Sequence, residues 1–167
     1  MLIDANCETL AVGSYHWENQ LVDGIWTYSL EMIHTGLQAC YKDLADKVRA
    51  QYDVPLTKLA GIGISAMMHG YMAFNKEDEL LVPFRTWRNT MTEEAAAKLT
   101  EEFQVNVPER YSISHLYQAI LKNEEHVKDI AFFTTLAGYI HWQLTGQKVL
   151  GAVSYTHLRA HETDSYL

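Results

Sequence analysis

The stretch from Leu59 to Thr90 constrains the fold of this chain more than any other. It begins with a short apolar run, residues 59–65, that contains two glycines. Such a run predicts a buried strand that another backbone approaches closely, because glycine leaves room for the approach. The run stops at Met68-His69-Gly70, and open α/β sheets bind ligands just beyond the carboxyl ends of their strands. We therefore expect a ligand site at this tripeptide.

A hairpin is predicted next, with strands at 71–74 and 80–84 joined by the polar turn 75–79. It would return the chain to the same sheet edge and deliver four side chains there: Arg85, Trp87, Arg88 and Asn89. Histidine and asparagine both give and take hydrogen bonds, arginine gives a fixed fork of donors, and an indole covers an apolar C–H face. This cluster indicates a polyhydroxylated ligand such as a sugar. The alternative is a core tryptophan with arginines in a solvated turn.

Three motifs carry a family resemblance when they are taken in order. They are Gly63-Ile64-Ser65 followed by Met68-His69-Gly70, then Trp87-Arg88-Asn89-Thr90, and finally Tyr139-Ile-His-Trp-Gln-Leu-Thr-Gly146. This order resembles the amino-terminal domain of the FGGY carbohydrate kinases. Xylulokinase-like members have Gly-Gln-Met-His-Gly at a strand end, Trp-Asn-Asp after a hairpin, and a helix ending in Asp-Tyr-Leu-x-x-x-Leu-Thr-Gly. The similarity runs from the first hairpin to Leu150.

The resemblance implies an α/β fold of the actin-like (ribonuclease H-like) ATPase class, as the incomplete amino-terminal half of a two-domain sugar kinase. It implies phosphorylation of a ketose, a pentulose such as xylulose, with ATP as co-substrate and Mg²⁺ in the full-length protein. The substrate-binding residues it implies are Met68, His69, Gly70, Trp87, Arg88 and Asn89. The family's catalytic aspartate is expected outside this chain. We therefore assign no catalytic residue here, expect no cofactor on the chain alone, and expect the isolated chain to be inactive.

Departures from the family pattern leave the sugar open. Ala66-Met67 replaces the usual Gly-Gln, and Arg88-Asn89 stands where xylulokinases have Asn-Asp and rhamnulose kinases have Arg-Asp after a tyrosine. Xylulose, ribulose, rhamnulose and fuculose all stay possible, because they differ at one or two hydroxyls. Two other classes also stay open, a non-catalytic sugar-binding module and a structural fragment that binds nothing.

Composition excludes several partners. The net charge of -8, with no cluster of Lys and Arg, argues against nucleic acid and against an anionic membrane surface. The isolated Cys7 and Cys40 suit a reducing compartment, and neither an export signal nor a membrane-length apolar run is present. We expect a cytoplasmic protein whose partners are a sugar and, at full length, ATP. A homodimer is compatible with the resemblance for the full-length protein.

The first third of the chain predicts a hairpin and a long helix. Strands are expected at 2–3 and 9–17, a loop at 19–28, and a helix from a Ser29 cap to about Tyr52. Apolar residues recur every three or four positions along this helix, which indicates one buried face. They are Leu30, Ile33, Leu37, Tyr41, Leu44 and Val48.

Three shorter helices are predicted after the central stretch. Thr90 and Glu93 suit a capping box for the first, with Ala96, Leu99 and Phe103 facing inward. Ser114 would cap the second. Arg110 and His115 stand at the entrance of this helix, and we interpret them as capping and solvated side chains; the alternative is that this helix end faces the ligand site. A short apolar stretch at 130–133 precedes a last helix that opens at Thr134 or Thr135 and is closed by Gly146.

We divide the chain into a partial kinase domain, residues 1–150, and a tail, residues 151–167. The domain lacks the family's first strand and phosphate loop, so we expect the natural amino terminus to precede Met1. The tail resembles a translated adapter sequence and is expected to be disordered. His157 and His161 lie four residues apart in it, but zinc usually takes a third protein ligand, so no metal site is assigned.

Overall fold

The computed structural model describes residues 1–149, which form two compact units of mixed helix and strand. The first unit comprises Met1–Asn19 and Tyr28–Gly63, and the second comprises Gln20–Thr27 and residues 64–149 of the described chain. Residues 1–149 contain three two-stranded antiparallel sheets. The predictions for the tail, including His157 and His161, lie outside the described residues, and the boundary at residue 150 stays a prediction.

The first unit opens with the predicted hairpin. Strand β1 (Leu2–Ile3) pairs antiparallel with β2 (Thr9–Ala11), which is shorter than predicted. The turn is closed by the Asp4 carboxylate, which accepts hydrogen bonds from the backbone N–H groups of Asn6 at 2.8 Å and Glu8 at 2.9 Å. An aspartate that bonds the backbone ahead of it stabilises such a turn locally.

Helix α1 (Leu30–Tyr52) confirms the predicted long helix and its cap. The Ser29 hydroxyl accepts a hydrogen bond from the Met32 N–H at 3.1 Å, which satisfies one of the free donors of the first turn. Leu44 and Val48 are buried and form a cluster with Ala11 of β2. Two predicted core residues, Leu37 and Tyr41, are instead 38% and 48% exposed, so the buried face is narrower than the apolar pattern indicated.

The second unit begins with a hairpin where a loop was predicted. Strand β3 (Gln20–Val22) pairs with β4 (Ile25–Thr27) in regular antiparallel register. The turn residues Asp23 and Gly24 have φ values of 49° and 79°. Positive φ at both positions is what a two-residue hairpin turn requires, and Asp-Gly is a strong signal for it. The loop prediction for 19–28 is wrong because Asp23-Gly24 forms a two-residue turn that lets the flanking segments pair as strands.

The core of the second unit is the strand β5 (Met72–Phe74), whose three side chains are almost fully buried. It pairs antiparallel with β6 (Phe132–Thr134), within the predicted apolar stretch and one residue beyond it. The predicted partner, 80–84, is not a regular strand. It returns antiparallel through single bridges, including a hydrogen bond from the Leu81 N–H to the Ala73 carbonyl at 2.9 Å. The regular hydrogen-bonded partner of β5 is therefore β6, not the segment 80–84.

Four helical segments surround this pair. They are α2 (Glu93–Phe103), α3 (Ser112–Leu121), a 3₁₀ helix (Glu125–Asp129) and α4 (Leu136–Thr145). Helix α4 confirms the predicted start and end. The Thr135 side chain accepts a hydrogen bond from the Gly138 N–H, and Gly146 ends the helix at a φ of 72°.

The predicted cap of α2 is wrong. Neither Thr90 nor Glu93 makes a capping box, and the helix begins at Glu93 itself. One free N–H group of its first turn, that of Ala95, donates a hydrogen bond to the side-chain oxygen of Gln118 in α3, at 3.1 Å. Two helices packed side by side can replace a local cap with a tertiary one. Phe103, predicted to face inward, is 49% exposed.

The predicted cap of α3 is also wrong. Tyr111 occupies the cap position, and Ser114 lies inside the helix, fully buried, with its hydroxyl donating to the Pro108 carbonyl at 2.9 Å. The serine therefore fastens the preceding loop to the helix. His115 is fully buried as well, which contradicts its interpretation as a solvated side chain.

The apolar run 59–65 is not a buried strand. Ile62 is 68% exposed, and a Cβ added at Gly61 or Gly63 would meet nothing within 4 Å. A short central strand draws its stability from a ladder on each edge and cover on each face. No strand among residues 1–149 pairs with this run, so the prediction lacks the partners it requires.

Candidate functional site

A cleft of about 390 Å³ lies in the second unit. Its lining residues are Ala66, Met67, Met68, His69, Trp87 and Arg110. Four of the six are consecutive, and the others come from the return segment after β5 and from the loop before α3. Its volume is within the range of sites that hold a small molecule, and a mostly apolar wall with a few polar groups is typical of them.

Gly70 fixes the segment that supplies most of the cleft. Its φ is +100°, and a Cβ there would lie 2.6 Å from the Arg85 carbonyl oxygen, so no other residue fits without rearrangement. Its N–H donates to the Arg110 carbonyl at 3.2 Å, and its carbonyl accepts from the Ser112 hydroxyl at 2.5 Å. The two hydrogen bonds tie the segment that ends at Gly70 to the loop before α3.

His69 is half-buried and points its ring at an aromatic neighbour. The imidazole stacks on the Tyr111 ring, with centroids 4.9 Å apart and planes inclined by 22°. Stacking fixes the plane of the imidazole and therefore the directions of its two nitrogen atoms. Sequence reasoning missed Tyr111, and a tyrosine at a helix entrance gave no signal that it would support the histidine.

Trp87 is 51% exposed although it is an indole, which excludes the interpretation of a core tryptophan. Arg88 lies beside it, with its guanidinium carbon 5.7 Å from the Trp87 ring and 4.9 Å from the Trp26 ring. Such contacts between a guanidinium and an indole face are attractive. The exposed ring therefore has its orientation supported on one side.

Asn89 is buried, and its amide is occupied by the backbone. Its side-chain oxygen accepts from the Trp26 N–H at 2.9 Å, while its nitrogen donates to the carbonyls of Trp26 and Thr86, each at 2.9 Å. Asn89 thus fastens β4 to the segment that carries Trp87. This is an anchoring role that the sequence did not predict.

The structure thus brings three of the six predicted residues together at the cleft surface, namely Met68, His69 and Trp87. Gly70 is the buried residue that follows His69, Arg88 contacts the Trp87 ring, and Asn89 is an anchor. The cleft also includes Arg110, which the sequence analysis interpreted as a capping and solvated residue, with a place at the ligand site as the alternative.

A polar network joins residues that adjoin the cleft segments in sequence. The Arg85 guanidinium, 5% exposed as a residue, pairs with both carboxylate oxygens of Glu124. Glu124 also lies 3.5 Å from Nδ1 of His126, whose Nε2 is 2.9 Å from the Tyr71 hydroxyl. Backbone hydrogen bonds between Tyr71 and Arg85, at 2.8 and 3.1 Å, close the ring of contacts. The network joins the segment after Gly70 to the segment before Trp87.

Burial shifts the pKa values of the ionisable groups in this network and of the nearby His115. It raises the pKa of Tyr71 to about 12, with the nearby Arg85 charge opposing the shift. It lowers the pKa of His126, and Glu124 opposes that shift. The strongest effect is on His115, where burial and the Arg85 charge lower the pKa to about 4. A neutral tyrosine and neutral histidines around one buried ion pair are what a water-poor interior favours.

Among residues 1–149, no group of three His, Cys, Asp or Glu side chains is placed to hold a metal ion. Within the same residues, no helix is both long and apolar enough to cross a membrane. The candidate site is the cleft, whose lining includes aromatic and cationic side chains.

The described residues thus combine a mixed helix and strand architecture with a cleft whose size suits a small molecule. The sequence profile of the FGGY family of carbohydrate kinases, N-terminal domain, matches residues 2–157. The chain therefore belongs to the FGGY family of carbohydrate kinases, and its fold is that of the family's actin-like amino-terminal domain. This confirms the resemblance predicted from the three motifs.

Solved structures are similar in fold. A protein described as a xyloylose kinase from Brucella ovis superposes with a TM-score of 0.72 at 18% identity, covering 87% of this chain. A ligand-bound xylulose kinase and a gluconate kinase, both from Lactobacillus acidophilus, each superpose with a TM-score of 0.63 at 21% identity over 77% of the chain. The chain spans 31% of the first structure and 27% of each of the other two. None of the curated protein sequences matches the chain.

Proposed function

We propose that this chain supplies the sugar-binding half of an ATP-dependent kinase that phosphorylates a ketose, with a pentulose such as xylulose as the first candidate. The observation that carries the proposal is the pairing of an exposed indole, Trp87, with a stacked imidazole, His69, on one small cleft. A sugar presents an apolar C–H face and directional hydroxyls, and these two side chains match both features. Family membership supports the class of reaction.

Each cleft residue has a role in this proposal. Trp87 covers the apolar face of the sugar, His69 orients one or two hydroxyls, and Met68 closes the apolar wall. Gly70 and Asn89 hold the backbone that presents these side chains, and Arg88 supports the indole. None of these residues is proposed to take the proton of the attacking hydroxyl.

Phosphoryl transfer is a reaction of the whole protein. It depends on positioning and on neutralising charge, which Mg²⁺ supplies when it is bound with ATP. Residues 1–149 include no metal-ligand cluster, so we derive no step through the ion from this chain. We propose that the nucleotide, Mg²⁺ and the catalytic base belong to parts of the protein outside these residues, and that the isolated chain does not hydrolyse ATP.

Titration calorimetry of the chain with xylulose, ribulose, rhamnulose and fuculose tests the proposal. Saturable binding of at least one ketose is expected, and both His69→Ala and Trp87→Ala should weaken it about tenfold or more, because each removes a contact worth about 1–2 kcal/mol. Both positions are partly exposed, so the variants should remain folded. Absence of binding to all four sugars would overturn the proposal for this cleft.

Measurement of ADP release distinguishes a kinase from a sugar-binding module without catalysis. A sugar-binding module without catalysis would bind the ketose, yet the complete protein would release no ADP when sugar and MgATP are added. A kinase would release ADP in proportion to sugar. Sugar-dependent ATP hydrolysis by the isolated chain, lost in His69→Ala, would show that the chain is more complete in function than we propose.

A further inference from the structure

Tyr111 occupies the cap position of α3 and does not line the cleft. Its ring stacks on the imidazole of His69, which does line the cleft, with the two planes only 22° apart. The Tyr111 hydroxyl forms no hydrogen bond with any residue of 1–149. The ring, and not the hydroxyl, is therefore the part of Tyr111 that contacts the histidine.

Hydrogen bonds on both sides of Tyr111 fix the two rings relative to each other. Gly70, the residue after His69, donates its N–H to the carbonyl of Arg110 at 3.2 Å. The carbonyl of Gly70 accepts from the hydroxyl of Ser112 at 2.5 Å. Both backbone groups of Gly70 are thus bonded to the immediate neighbours of Tyr111. The contact between the imidazole and the phenol ring therefore follows from how the two segments are joined, and not from the two side chains alone.

A stacked neighbour should matter for a histidine that binds a ligand. A free imidazole turns about two side-chain bonds, whereas a hydrogen bond to a hydroxyl requires its nitrogen atom to point in one direction. Ordering the ring only when the ligand arrives costs conformational entropy and lowers affinity. A ring that is already stacked in the free protein avoids much of this cost.

We infer that Tyr111 is a positioning residue that holds the His69 imidazole in the plane from which it bonds a sugar hydroxyl, without itself touching the sugar. The inference rests on the proposed function, because that proposal assigns the orientation of the hydroxyls to His69. It adds a residue outside the cleft lining to those on which sugar affinity depends.

Proton NMR of the full chain without sugar tests the stack. Nuclear Overhauser effects between the ring protons of His69 and Tyr111 are expected, because the ring centroids lie 4.9 Å apart. The histidine signals are assigned by their loss in His69→Ala. Tyr111→Leu should remove the upfield shift that the phenol ring causes, and Tyr111→Phe should keep it. Absence of these Overhauser effects, or unchanged His69 signals in Tyr111→Leu, would overturn the inference whether or not a sugar binds.

Calorimetry then tests the effect on binding, with the ketose that binds most tightly among the four named above. Tyr111→Leu should weaken binding about three- to tenfold, and Tyr111→Phe about twofold at most. In the His69→Ala background, Tyr111→Leu should have no further effect, because its contribution passes through the imidazole. The matched control is Tyr117→Leu, which removes a partly buried tyrosine of α3 that does not line the cleft and should leave affinity unchanged.

The outcomes separate the inference from the proposed function. Ketose binding that Tyr111→Leu leaves unchanged, or weakens equally with and without His69, overturns the inference alone. Equal losses in Tyr111→Phe and Tyr111→Leu would show that the hydroxyl contacts the sugar, and equal losses in Tyr117→Leu would show a general change in folding. Either result also overturns the inference and leaves the proposed function standing. Binding of no ketose overturns the proposed function and the inference with it.

Discussion

The Tyr71 hydroxyl lies 2.9 Å from Nε2 of His126, and both residues are buried. Tyr71 directly follows Gly70, and His126 belongs to the 3₁₀ helix after α3. This hydrogen bond therefore connects the segment that forms the cleft to a helix far along the chain. The connection continues through Glu124 to Arg85 and back to Tyr71, so a change at any of the four should reach the cleft.

Glu124→Gln should destabilise the second unit. It leaves the buried Arg85 guanidinium without its counter-charge, and breaking a buried pair from one side costs about 3–5 kcal/mol. Because the Glu124 side chain is 28% exposed and water screens part of the interaction, we expect about 1–3 kcal/mol. Urea unfolding measures the change. Glu94→Gln, which removes an exposed partner of Lys98 and Lys122, is the control and should change little. Equal values for the two variants would contradict the prediction.

Asn89→Ala should lower the free energy of unfolding by about 2–4 kcal/mol. The side chain makes three hydrogen bonds to backbone groups of Trp26 and Thr86. Its loss leaves the Trp26 N–H unsatisfied, whereas the two carbonyls keep donors from Thr86 and from the Asn89 backbone. Hydrogen exchange of the Trp26 amide should accelerate as well. Asn106→Ala serves as the control, since Asn106 is exposed. A fully stable Asn89→Ala chain that only loses sugar binding would instead show that Asn89 acts as a ligand contact.

Gly70→Ala should be among the most damaging single changes in this unit. A Cβ would lie 2.6 Å from the Arg85 carbonyl oxygen at a φ of +100°, so strain and a backbone clash act together, at about 3 kcal/mol or more. Gly146→Ala is the matched control. It has a φ of +72° but nothing within 4 Å, so only the conformational cost of about 1 kcal/mol remains. Thermal unfolding of the two variants separates the effect of the clash from that of the backbone strain. Equal unfolding temperatures for Gly70→Ala and Gly146→Ala would contradict the prediction.

Stability should fall as pH is lowered, and His115 should account for part of the fall. Its pKa is lowered from 6.5 to about 4 by burial and by Arg85, with Glu124 opposing. Between these values the unfolded chain binds a proton that the folded chain does not, so acid favours unfolding by up to about 1.4 kcal/mol per pH unit. The stabilisation is present above about pH 6.5 and is lost as pH falls toward 4.

The variant His115→Phe tests this pH dependence. It keeps a planar ring beside Tyr71 and removes two buried nitrogens that make no hydrogen bond. Urea midpoints measured from pH 7 down to pH 4 should depend less on pH in the variant than in the original chain. Some dependence should remain, because burial also lowers the pKa of His126. Identical slopes in the two proteins would show that His115 does not contribute.

Local signals in the sequence predicted local structure well. Ser29 before an amphipathic run gave the start of α1, and Gly146 after Leu-Thr gave the end of α4, because a cap acts on the backbone within a few residues of itself. The order of Met68-His69-Gly70 and Trp87 along the chain was enough to indicate the family and to place both segments at one cleft.

Predictions that depended on a distant partner failed. The amino end of α2 is capped by Gln118 from α3, and Thr92, beside the predicted cap, bonds the Glu109 carbonyl instead. The run 59–65 resembled a buried strand because its composition suits one, but burial requires neighbours that residues 1–149 do not provide. Composition indicates which structures a segment can adopt, and packing against neighbouring segments determines which one it adopts.

The sequence by itself determined the family, the α/β class and the residues around which the cleft forms, because motif order and helix caps are written within short stretches of chain. Only the tertiary structure showed that Asn89 is an anchor, that His69 stacks on Tyr111, and that Arg110 lines the cleft. The Asn89 role depends on two residues 63 positions apart meeting in space. Hydrogen bonds and charges act over a few ångströms, so the packing of separate segments decides which side chains remain available to a ligand.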